Sequence, residues 1–159
     1  MNTAKSQRFS SYLDQPLWRR LGTHLRCLLA NTLAFGLGFG GLGLGLLVLS
    51  TFAFEWTSEI YTREQAFDLN SAVLLLLVGL STAVFALAGL LSFALPKLPR
   101  PRVQPWRCAA LGAGTFILSQ ATAPMDNSAP LVVGGLLAAA SSVLIRLRKD
   151  NALGAPDAA

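Results

Sequence analysis

Charge placement constrains this chain more than any motif does. Four apolar stretches, at residues 27–54, 69–95, 108–123 and 131–147, carry no charged residue in their cores. Of the thirteen Lys and Arg residues, twelve fall in the first, third and fifth of the polar segments that flank these stretches, counting Arg146 at the very end of the last stretch with the fifth, and Arg63 is the exception. An apolar helix of about 20 residues matches the hydrocarbon thickness of a bilayer, and basic residues gather on its cytoplasmic side. The pattern predicts an all-α integral membrane protein: a four-helix bundle with both termini cytoplasmic, in a bacterial inner membrane.

Composition agrees. Charged residues make up 13% of the 159, where a soluble domain averages about 25%. The expected organisation is a basic segment at 1–26, a four-span domain at 27–149 and a disordered cytoplasmic tail at 150–159. The net charge of +5 does not point to nucleic acid, because the basic residues sit beside the apolar stretches. There they orient helices and attract anionic head groups. Membrane lipids are one expected class of partner.

Within residues 1–26, Phe9, Tyr12, Leu13, Leu17 and Leu21 recur at helical steps, and Asp14 and Pro16 suit a helix start. A short interfacial amphipathic segment ahead of the first span is expected. Trp18, Trp56 and Trp106 are expected interfacial anchors, since indole is enriched at the membrane–water boundary. Thr62 and Gln65 have the spacing of a capping box, so the second helix should begin before its apolar stretch. The prolines of residues 96–107 predict a stiff connector. Ser128 and Pro130 suit the opening of the last helix. Both later stretches are short, so residues 108–147 have a re-entrant hairpin as their alternative.

The first span contains Gly36, Gly38, Gly40, Gly41, Gly43 and Gly45. In lipid, glycine lets helices approach closely, and packing takes the place of the missing hydrophobic drive. At 100° per residue, Gly38, Gly41 and Gly45 share one face and Gly36, Gly40 and Gly43 the other. Two faces predict contact with a second copy or another membrane protein as well as internal packing. Leucine at Gly36 and Gly40 is expected to break such association and leave the monomer folded. Small residues recur at Gly79, Ala83, Ala86 and Gly89, at Ala110 and Gly114, and at Gly134, Ala138 and Ser142.

The residues that are missing bear on function too. Coupled transporters and proton relays keep an ionisable group at membrane depth, and these stretches hold no charged residue near their middles, Arg146 lying one residue from the end of the last. His24 is the only histidine; it is expected to be an interfacial basic residue. It cannot supply bis-histidine haem ligation or a metal cluster. Cys27 and Cys108 are expected to be buried, small and unpaired. Asn31 and Gln120 are expected to bond between helices. No nucleophile–base set is present, so neither catalysis nor a cofactor is expected. The reading is an accessory, assembly or immunity-type membrane subunit acting through helix–helix contacts. A small oligomeric channel or carrier is the alternative.

Overall fold

The computed structural model describes residues 16–53, 62–94, 102–123 and 128–147. Trp56, most of the interfacial segment, the acidic loop after the first helix, much of the proline-rich connector and the tail at 150–159 lie outside them. Four α-helices and no strand occur among the described residues: α1 at Leu17–Val48, α2 at Arg63–Leu91, α3 at Pro105–Gln120 and α4 at Ala129–Leu147. Leu49–Ala53 extends α1 as a π-turn, and Ser92–Ala94 extends α2 as a 3-10 turn.

Local chemistry sets each start. Pro16 occupies the N-cap of α1 with φ −59°, and its carbonyl accepts the N–H groups of Arg19 and Arg20 at 2.9 and 3.3 Å. The helix runs on without a break through residues 26 and 27. The described part of the expected interfacial segment is therefore the opening of α1, because no helix breaker separates it from the apolar run. Thr62 and Gln65 form the expected capping box: the Gln65 N–H donates to Thr62 Oγ1 at 3.3 Å and the Thr62 N–H to Gln65 Oε1 at 3.0 Å. Pro105, expected within the connector, is instead a first-turn residue of α3, where its missing N–H costs nothing. Ser128 accepts the first amides of α4, from Leu131 at 3.1 Å and Val132 at 3.2 Å.

The helices close a ring of contacts: α1 meets α2 and α3, and α4 meets the same two, with α1–α3 the most extensive. Close approaches fix their directions. A Cβ at Gly36 would meet Thr82, and one at Gly40 would meet Val78, so α1 and α2 are antiparallel. Asn31 touches residues 102 and 104, while Gly43 faces Phe116, so α1 and α3 are parallel. Gly134 faces Ser81 and Gly89 faces Ser142, so α2 and α4 are parallel.

Polarity is inverted relative to a soluble protein. Large apolar side chains point outward on every helix, among them Leu33 and Leu37, Leu75 and Leu91, Ile117, and Leu136. His24, Asn31, Ser81, Thr115, Ser119, Ser141 and Ser142 are buried with the aromatic core. Leu17–Phe52 and Arg63–Ala94 are long and apolar enough to cross a membrane. Only 22% of the most apolar window of each is buried, whereas a core helix of a soluble protein is mostly covered.

Candidate functional site

The glycine run of α1 divides its work. Gly36 and Gly40 face α2, and an added Cβ would lie 3.1 Å from Thr82 Oγ1 or 3.4 Å from Val78 Cγ2. Gly43 faces both Leu74 and Phe116, with the Phe116 ring 3.0 Å from an added Cβ. Gly38 abuts the main chain of Ala109 on α3. The run is therefore largely consumed by internal packing. Gly36 and Gly40, where leucine was expected to spare the monomer, thus lie against α2, so leucine at either would have to displace Thr82 or Val78. Gly41 and Gly45, one helical turn apart, have nothing within 4 Å of an added Cβ, so within this run they are the glycines with space beside them.

On α3 the close-packing residue is Gly112 and not Gly114 of the expected Ala110–Gly114 pair. An added Cβ at Gly112 would run into the Phe35 carbonyl oxygen and lie 2.9 Å from the Phe39 nitrogen, whereas Gly114 meets nothing within 4 Å. Gly38 and Gly112 are thus reciprocal notches, each receiving the other helix's backbone. The available signal was Cys108-xxx-Gly112, because Cys108 is itself fully buried and one turn away. On α4 the expected Gly134–Ala138–Ser142 stripe is buried throughout.

The centre of the ring is closed by aromatic rings. Phe35 and Phe39 are 0% exposed and Phe85 is 1% exposed. Phe35 stacks on Phe85 with centroids 4.4 Å apart, and Phe39 meets Phe116 edge-on at 5.3 Å. Buried hydroxyls bond back to their own helices, as Ser119 does to Phe116 O at 2.8 Å and Ser92 to Gly89 O at 2.6 Å. Cys108 packs in this core, and Cys27 is also buried; neither is in a disulfide.

One end of the ring is polar. Asn31 Nδ2 donates to the Arg102 carbonyl at 2.9 Å, and its Oδ1 accepts the Gln104 N–H at 2.8 Å. It bonds main chain ahead of α3 rather than a side chain on a second helix. Gln120 sits half-buried at the other end of α3. His24, the expected interfacial basic residue, is buried, with 2% of its surface exposed. Its Nε2 donates to Gly89 O at 3.0 Å, and its ring lies 5.1 Å from that of Phe93. Helix α2 returns alongside the opening turns of α1, and this covers the imidazole. Trp18 and Trp106 are 67% and 87% exposed, and the Arg19 guanidinium lies 5.1 Å from the Trp18 ring centroid.

Among the described residues, no group of three or more His, Cys, Asp or Glu side chains is placed to hold a metal ion. No family model, curated protein or solved structure matches the chain.

Proposed function

We propose that the chain is an integral membrane protein that crosses the bilayer four times. Both termini are cytoplasmic, and the membrane is a bacterial inner membrane. It acts through helix–helix contacts as an accessory, assembly or immunity-type subunit and is not an enzyme. The inverted polarity carries the membrane reading: leucines face outward on helices whose buried faces hold Ser81, Ser119, Ser142 and Asn31. Lipid solvates such a surface and water does not. Helix directions support the topology, since α1 and α3 are parallel and begin at the polar segments that hold Arg19, Arg20 and Arg26, and Arg102 and Arg107. At ~1.5 Å per residue, α3 and α4 reach ~24 and ~28 Å, close to a hydrocarbon core of ~30 Å.

The partner reading rests on Gly41 and Gly45, an open small-residue notch of the type that brings membrane helices together. The aromatic seal of Phe35, Phe39 and Phe85 argues against a pore through one copy, so a channel would need a pore between copies. Two experiments test the proposal. Purification of tagged protein in mild detergent should recover a stoichiometric foreign membrane protein. A homo-oligomer that conducts ions or solutes in liposomes would overturn the subunit reading in favour of a channel. A cysteine at Asp126 should label from outside the cell. Protection there, together with outside labelling at Glu59, would replace the second pair of spans with a re-entrant hairpin.

A further inference from the structure

We draw no further inference here: the strongest candidate, the outward face of α1 at Gly41 and Gly45, is a stripe of small residues on an apolar surface, and nothing in the structure shows what covers it.

Discussion

Asn31 and Gln104 are joined by a 2.8 Å bond from the Gln104 N–H to Asn31 Oδ1, although 73 residues separate them in the chain. The same side chain donates to the carbonyl of Arg102. One amide group thus satisfies a donor and an acceptor of a segment that has no helix of its own. Asn31→Leu should leave both main-chain groups without this partner and cost about 1–3 kcal/mol. Asn31→Gln should recover little, because its extra methylene misplaces the amide. Denaturation in detergent, monitored by tryptophan fluorescence, checks the ranking.

The reciprocal notches predict a steep dependence on side-chain size. Gly112→Ala places a methyl against the Phe35 carbonyl, and Gly38→Ala places one against the Ala109 main chain. Backbone cannot yield as a side-chain tip can, so each should cost at least ~1–3 kcal/mol. Gly114→Ala, with open space beside it, should fall within about 0.5 kcal/mol of the parent. The measured difference between Gly112 and Gly114 is the check.

Gly41→Leu combined with Gly45→Leu should leave the thermal midpoint of the isolated protein close to the parent value, within about 0.5 kcal/mol for each site. The same pair should abolish co-purification of the partner. Retained co-purification would show that another surface holds it.

The His24 imidazole and the Ser92 hydroxyl donate to the same carbonyl, that of Gly89. His24→Phe keeps a ring beside Phe93, and Ser92 remains to satisfy Gly89, so the loss should be about 0.5–1.5 kcal/mol. His24→Ala also removes the ring and should cost more. Comparing the two midpoints separates the hydrogen bond from the packing.

The Thr62 cap lies at the exposed start of α2. Thr62→Ala should cost about 1 kcal/mol, and Thr62→Ser should recover most of it. Helicity and the unfolding midpoint report both.

Helix number and type were legible because apolar runs, proline positions and the Thr62–Gln65 spacing are local signals. Long-range partnering was not. Nothing local distinguishes Gly36, which α2 covers, from Gly41, which stands open, because the difference depends on where α2 and α3 settle around α1. Gly112 carries little local signal for a similar reason: its neighbour in the small-residue pattern is a cysteine rather than a glycine or alanine. His24 reads as interfacial from the basic residues around it, but its burial is decided by Gly89 and Phe93, more than sixty residues later. Asn31 was legible as a bonding residue, but its partner was not, since main chain before a helix leaves no signature in side-chain identity.

The parallel pairing of α1 with α3 bears on biogenesis. α3 has 16 residues, and it is not among the helices long and apolar enough to cross a membrane unaided. On the proposed topology, α1 and α2 leave the ribosome first and insert on their own apolarity. They present the Gly38 notch and the Asn31 amide before α3 exists. The first hairpin is then a template on which a weakly inserting helix is laid, and each glycine or amide that fixes α3 in place is also a determinant of whether the second half of the chain enters the membrane at all.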